Sequence, residues 1–486
     1  MKNLNQRLRP AVAISVGLVL AGCAVGPDYR RPEPEAVNAW SAPLPHGGET
    51  AMLARWWSQF DDPTLTALVE AAEHDSPDLD QAVARIAQSR AGAVAADSAR
   101  LPSLALASSG QRSQSPLSTP PRQTVRQASL DASWELDLFG GQRRGQEAAR
   151  ARTENAQAQW HDARVSLAAE VAQEYTGLRA CEAQVVIAEA DLRSRQETER
   201  LSGLMVDAGM QSAADGALAT AGAADAATRA EAQRAECEVA VKSLVALTGI
   251  TEPILRDQLR AAHARLPAPR AFAIRQLPAE VLLQRPDMVA VERNLAAASA
   301  EIGVAEAARY PKLTLLGSIG FQSARADGTT VDGRSWSIGP SLSLPIFNAG
   351  RLAADVDAAR ARYDEAAAAY RGKARQAIKE VEQSLVRLNS ATARENDARR
   401  AVEHYDKALR SAESRWQVGS ASQLELEEVR RMALASHLQY VGIQRERVGS
   451  WINLYRAVGG GWRPEDLDRT QIPASAATSN SGEKSQ

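Results

Sequence analysis

Residues 127–140, Gln127 to Gly140, read QASLDASWELDLFG. Ala128, Leu130, Ala132, Trp134, Leu136 and Leu138 alternate there with Gln127, Ser129, Asp131, Ser133, Glu135 and Asp137. A period of two sustained over this stretch predicts a β-strand with one apolar and one polar face. A partner strand is expected just before it, over Ser103 to Arg112. After Gly140 the pattern changes. No proline occurs between Pro121 and Pro253, and a proline inside a helix costs about 3 kcal/mol, so one helix can run from Gly141 to Val206. At 1.5 Å per residue such a helix is about 100 Å long.

The same order recurs. Leu313, Leu315, Ile319 and Phe321 share one strand face, and Trp336, Ile338, Leu342, Leu344 and Ile346 share a face of the next, opposite Ser337, Ser341 and Ser343. A helix then runs from Leu352 to Val418, with Leu352, Val356, Ala359, Tyr363, Ala366, Tyr370, Ala374 and Ala377 spaced by fours and threes. Val402, Tyr405, Leu409, Ala412 and Trp416 resume that rhythm, a seam that needs a partner helix along its length. Pro77-Asp78 returns as Pro286-Asp287, Phe139 as Phe347, Glu170-Val171 as Glu380-Val381, and Gly209 with Ser212 as Gly419 with Ser422, at offsets of 208 to 210. The chain is a tandem structural repeat. Each long helix breaks at its glycine and resumes, which predicts a helical hairpin with its tip near Gly209 or Gly419.

Strands of about ten residues match the ~9–11 of a tilted membrane strand, and an apolar face opposite Ser, Gln, Asp and Glu fits a water-filled barrel. Four strands cannot close one, and unpaired edges are not tolerated in hydrocarbon, so several chains must share the barrel. The alternative is a half-buried soluble sheet. The fold class is therefore mainly α with a β-barrel contribution. Each protomer carries long antiparallel helical hairpins and four membrane strands.

The chain has 486 residues, 44% hydrophobic, 24% charged and 5% aromatic, with net charge −2. About a fifth of it is alanine, the strongest helix former. The balanced charge gives nothing for a nucleic acid to bind, and no apolar run approaches the ~18–20 residues of a membrane helix. Lys2, Arg7 and Arg9 precede a short apolar stretch, Ala11 to Leu20, and then Leu20-Ala21-Gly22-Cys23. That is an export signal, and the cysteine after Leu-Ala-Gly resembles a bacterial lipobox, in which Cys23 is acylated and anchored to outer-membrane lipid. Cys181 and Cys237 each lie 28 positions from Gly209, at equal height on antiparallel helices. A disulfide and a pair of buried free thiols both fit, and the free thiols are the favoured reading. The expected organisation is a signal peptide (1–22), a lipidated extended segment (23–60), a first repeat (61–249), a Pro-rich linker (250–285), a second repeat (286–465) and a tail (466–486).

Taken together, the duplicated halves, two strands per half and long hairpins resemble the TolC-like outer-membrane efflux factors. Trp134 to Gly140, Leu282-Leu283-Gln284-Arg285-Pro286-Asp287 and Gly459-Gly460-Gly461-Trp462 resemble signatures of their NodT-like lipoprotein branch. The resemblance covers about residues 23–465. It implies a homotrimer with a twelve-stranded barrel and a helical periplasmic tunnel, a passive exit duct docked to a periplasmic adaptor and a proton-driven inner-membrane pump. It also implies a constriction at acids just beyond the second tip glycine. Glu425 and Glu428 match that placement, and Asp215 is the first-half counterpart of Glu425. Glu425 and Glu428 are three apart and share a helical face, so symmetry copies form carboxylate rings that select cations. A solvated acidic face is the alternative. Gly209, Ser212, Gly419, Ser420 and Ser422 are the adaptor-contact candidates.

No catalytic motif emerges. Glu182 and Glu189 lack convergent partners, His161, His404 and His437 are expected on helix surfaces, and no phosphate loop or zinc spacing occurs. Neither a metal nor a cofactor is expected beyond the lipid on Cys23. The competing readings are the outlet of a protein secretion system and a lipid-anchored coiled-coil scaffold without a channel.

Overall fold

The computed structural model describes residues 24–32, 56–114, 122–268 and 285–462. Cys23, the signal peptide and the tail lie outside them. Helices α1 (Pro63–Asp75) and α2 (Pro77–Ser98) precede strands β1 (Ser103–Gln114) and β2 (Arg122–Leu136). The hairpin α3 (Gly141–Asp207) and α4 (Ala213–Thr248) follows, then α5 (Glu252–Leu259). The second half runs α6 (Pro286–Ala307), β3 (Lys312–Ala326), β4 (Thr329–Ser343), α7 (Arg351–Gln417) and α8 (Gln423–Ala457). The repeat is close in length: α2 and α6 have 22 residues each, α3 and α7 have 67 each, and α4 and α8 have 36 and 35.

The strands form one antiparallel sheet in the order β1-β2-β3-β4, so the pairing of β2 with β3 joins the two halves. Its register sets Leu106, Leu130, Ile319 and Trp336 side by side on one face, and Ser129, Asp131, Ser318 and Ser337 on or beside the other. Leu106, Ile319, Trp336, Ile338 and Leu342 are exposed in the single chain. β1 and β4 leave both edges of this sheet open among the described residues. β2 begins earlier than its alternation suggests and ends at Leu136. Asp137, expected on the polar strand face, instead caps α3, its carboxylate accepting from the Gln142 and Arg143 N–H groups at 3.1 and 2.8 Å.

The chain divides into two compact units. One contains residues up to 32, 84–157 and 290–372, and holds the sheet. In it Ala148 and Ala151 pack on Ala296, Ala297 and Ala300, small residues that let α3 and α6 approach closely. Residues 24–32 are docked here. The Val25 N–H donates to Phe139 O at 3.0 Å, and buried Arg144 donates to Val25 O and Gly26 O and pairs with Asp28 at 2.7 Å. Gly26 has φ +89°, and a Cβ there would lie 2.4 Å from Gly303 Cα. A Cβ on Gly140 would lie 2.8 Å from Ala24 Cα.

The other unit contains residues 33–83, 158–289 and 373 onward. Its core gathers Trp56, Phe60, Leu65, Leu68, Tyr175, Leu178, Leu244, Leu385, Ile452 and Tyr455. Trp56 stacks on Tyr455 at 4.9 Å. The segment expected to be extended through residue 60 thus ends as a buried aromatic plug, and the expected linker carries α5, started by Pro253 in its first turn. Arg285 makes a bidentate pair with Asp287 (2.9 and 2.7 Å), reaches Glu380 at 2.8 Å and donates to Ala457 O, while Lys373 approaches Asp287 at 2.9 Å. Burial opposes the Asp287 charge, but the Arg285 guanidinium and Lys373 ammonium outweigh it and hold the carboxyl at about 2. Burial pushes the neighbouring Asp162 carboxyl up, with the Asp287 charge adding to the effect.

Two expectations fail in this unit. Cys181 and Cys237 are joined in a disulfide with their Cα atoms 5.6 Å apart, not left as free thiols, because α3 and α4 do bring them level. His161 is buried rather than on a helix surface, its ring 4.8 Å from Trp160 and 5.5 Å from Trp462.

Candidate functional site

The two hairpin tips are built alike. Gly209 and Gly419 take φ +71° and +74°, and no atom lies within 4 Å of a Cβ added at either. The left-handed residue lets the next amide turn back onto the helix end. The Met210 N–H donates to Met205 O and the Ser420 N–H to Arg415 O, both at 2.8 Å. Three residues past each glycine a serine opens the returning helix. Ser212 Oγ accepts from the Asp215 N–H, and Ser422 Oγ from the Glu425 N–H, each at 3.2 Å. Asp215 and Glu425 thus occupy the third helical position, where a carboxylate also meets the positive helix end.

That geometry separates the acids expected at the constriction. The Glu425 carboxylate pairs with Arg415 across its own tip. The Glu428 side chain is 61% exposed, with Arg431 at 3.9 Å. Asp215 accepts from Ser212 Oγ at 2.7 Å on the exposed first tip. Gly209, Gly419, Ser212 and Ser422 shape the turns, and Ser420 Oγ donates to Arg415 O at 3.0 Å.

Inward of the tips lies a polar lock that sequence reading missed. Arg229 on α4 reaches Asp191 on α3 at 3.3 Å, and Asp191 holds Arg195 at 3.0 Å. Arg195 in turn contacts Glu427 on α8, which pairs with Arg430 at 2.5 Å. Arg430 also donates to Thr198 Oγ1 at 3.2 Å and faces Glu413 of α7 at 3.7 Å. With Asp225, which also pairs with Arg229, three cations meet four carboxylates, all drawn from the four hairpin helices. Closer to the turns, buried Gln423 accepts from Ser202 Oγ at 3.1 Å and from Gln211 Nε2 at 2.6 Å. Ala412, Trp416 and Leu426 pack beneath, with Leu201 and Leu409 against them. The available signal was Glu427, the middle acid of Glu425-Leu426-Glu427-Glu428, whose helical phase differs from its neighbours. Beside this lock a groove of ≈ 620 Å³ is lined by Arg229, Leu424, Glu428, Arg431, Leu434 and Leu438 among others.

Glu182 and Glu189, considered as catalytic acids, are paired instead, Glu182 with buried Arg179 at 2.8 Å and Glu189 with Arg234 at 2.7 Å. His437 meets Asp406 at 2.8 Å across the second hairpin. Among the described residues there is no cluster of ligands for a metal ion, and no helix is long and apolar enough to cross a membrane.

The outer membrane efflux protein family model matches this chain twice, at residues 68–250 and 277–460, once for each half. The chain belongs to the outer membrane efflux protein family. It is 30% identical over 468 residues to nodulation protein T of Rhizobium leguminosarum bv. viciae, covering 95% of this chain and 96% of that protein. It is 30% identical over 469 residues to outer membrane protein OprJ of Pseudomonas aeruginosa, covering 93% and 97%. The solved outer-membrane channel OprN superposes with a TM-score of 0.80 at 31% identity, over 90% of this chain and 100% of that one. The family is one of outer-membrane efflux channels rather than of enzymes, and its model falls on the two halves of the tandem repeat described above.

Proposed function

We propose that this chain is one protomer of a trimeric exit duct, which passively carries small molecules outward from a periplasmic adaptor and a proton-driven inner-membrane pump. The observation that carries the reading is the sheet. It has one exposed face of Leu, Ile, Trp and Phe, the opposite face of Ser, Gln and Asp, and two open edges on four strands. Three copies supply twelve strands, enough to enclose a water-filled lumen, and closure removes every edge from the hydrocarbon. Cys23 carries the lipid, one residue ahead of Ala24, which rests on the Gly140 turn at the foot of β2. The domain limits expected from the sequence, 61–249 and 286–465 for the repeats, are retained in this reading, with α5 inside the 250–285 connection.

The inner end of the duct closes at the hairpin tips. Glu428 supplies the open carboxylate ring, Glu425 supplies a ring whose charge is shared with Arg415, and Asp215 lies on the first tip. The adaptor meets Gly209, Ser212, Gly419, Ser420 and Ser422. The test is reconstitution of the lipidated protein in planar bilayers. Stepwise cation-selective conductance is expected, altered in Glu425→Ala/Glu428→Ala. No conductance from trimers refutes the duct, and unchanged selectivity in the double variant removes these acids from the gate. Photocrosslinkers at Gly209 and Ser420 should capture a periplasmic protein, and capture only along the barrel would refute the tip placement.

A further inference from the structure

The register of the sheet assembles a second feature that the duct does not use. On the face that carries Leu104, Leu106, Leu130, Ile319 and Trp336, the strand ends farthest from the helices carry Arg112, Arg122, Arg126, Arg325 and Arg334. The pairings Arg112↔Thr124, Gly110↔Arg126, Gln114↔Arg122, Arg126↔Ser323, Thr124↔Arg325 and Phe321↔Arg334 place all five on that one face. Arg112, Arg122, Arg126 and Arg325 are diagonal neighbours across adjacent strands, about 7–8 Å apart. All five are exposed, and among the described residues none has a carboxylate partner; Arg122 alone has a side-chain partner, Gln114 Oε1 at 2.9 Å. The same face holds one acid at this end, Asp332, and the β3–β4 turn adds Asp327. The opposite face at this height is uncharged: Gln111, Gln123, Gln127, Gln322, Val331 and Ser335.

Topology fixes which end this is. α2, α3, α6 and α7 all join the strands at the other end, so the arginines sit beside the hairpin loops on the outward side. From the Leu313↔Leu342 row to the Phe321↔Arg334 row is eight residues, about 27 Å along a strand and roughly 21 Å of height at a 40° tilt. The apolar band of such barrels is about 25 Å tall. Arg334 therefore lies just below the top of that band, within reach of the headgroups for a long side chain, and the other four arginines continue upward on the outside of the barrel, at headgroup depth.

We propose that this arginine belt binds the phosphate groups of the phosphorylated glycolipid, lipopolysaccharide, that forms the outer leaflet around the barrel. Planar guanidinium forks match phosphate oxygens in pairs, and five cations beside the single strand acid Asp332 keep an excess of positive charge that an anion lying between them neutralises. A cation-selecting lumen gains nothing from charge on the opposite face, so the belt acts on what surrounds the barrel rather than on what passes through it.

The proposal rests on strands crossing the outer membrane, and conductance tests that separately. The lipidated wild-type chain and Arg112→Gln/Arg126→Gln/Arg325→Gln are purified from outer membranes in mild detergent, and co-purified phosphorylated glycolipid is quantified by mass spectrometry. Both should give trimers of equal conductance, with at least tenfold less glycolipid on the variant. The corresponding triple Arg→Lys variant should retain an intermediate amount, because charge remains and the forks are lost. Wild-type capture should fall by a similar factor when the glycolipid is enzymatically dephosphorylated. Equal glycolipid on wild type and the Gln variant, or equal capture of dephosphorylated lipid, overturns the proposal. If the triple variant does not assemble, Arg126→Gln and Arg325→Gln decide singly. A threefold loss in either supports the belt, and wild-type retention in both overturns it.

Discussion

Glu427→Ala removes the carboxylate that Arg195 and Arg430 both contact. The Arg430 side chain is only 4% exposed and that of Arg195 11%, so water cannot take the place of the lost partner. Removing one member of a buried pair costs about 3–5 kcal/mol, because the remaining charge is stranded. Asp191 still holds Arg195 at 3.0 Å, and Glu413 still faces Arg430 at 3.7 Å, which places this loss near the lower end. The loss falls between hairpins, since Arg195 and Thr198 belong to α3 while Glu427 and Arg430 belong to α8. If the contact exists only when the tips are closed, about 3 kcal/mol shifts the closed-to-open ratio roughly a hundredfold. Single-channel recording should show longer and larger openings for Glu427→Ala than for wild type. Glu427→Gln, which keeps one acceptor, should fall between them. Trimers must survive and the helical circular dichroism must be unchanged for the comparison to count. Wild-type open times in a correctly assembled Glu427→Ala channel would refute the lock.

Reducing the Cys181–Cys237 bond, or replacing both residues with Ser, should lower stability by up to about 4 kcal/mol, the chain-entropy value for a separation of 56 residues. Guanidinium unfolding of the helices checks it, and superimposable curves with and without reductant would show that the bond contributes nothing. The Asp287 carboxyl is held at about 2 against 3.8 in the unfolded chain, so its stabilisation is complete above about pH 5. That contribution, on the order of 2 kcal/mol, should disappear as pH falls from about 4 to 2, and Asp287→Asn should flatten this limb of the stability profile while lowering the whole curve. An unchanged acid limb in Asp287→Asn would assign the sensitivity elsewhere. Gly26→Ala adds a Cβ 2.4 Å from Gly303 Cα at a φ of +89°, which residues with side chains rarely adopt. Amide exchange at residues 24–32 should accelerate at least tenfold. Exchange as slow as in wild type would mean that the segment is not held by this contact.

The parts of the fold written in local pattern were legible. The alternation from Gln127, the proline-free spans and the four-three seam from Leu352 each describe one element and need no knowledge of its neighbours. The ends of α3 and α7 accordingly fall within one residue of those expected. What was not legible depends on which elements meet. The role of Glu427 is one such case, because nothing local says that Arg195, 232 positions earlier, lies opposite it. Trp56 and Trp57 followed a Pro-rich stretch that gave no sign of a core, and Tyr455 on α8 is what receives Trp56. Asp137 fitted the strand pattern but caps the helix that begins four residues further on. The arginine belt was visible only once the register had put residues from four separate strands on one face.

The open edges of the sheet have a genetic consequence. A barrel that no chain can close alone makes every working channel a joint product, so a defective copy removes not just itself but the partners it joins. With equal amounts of sound and faulty chains mixing at random in a trimer, only about one channel in eight contains sound chains alone. A tip variant that assembles but fails to close should thus be dominant over the wild-type gene. A variant that pairs neither its β1 nor its β4 edge should be recessive. Dominance therefore sorts lesions of the tip from lesions of the rim without purifying anything.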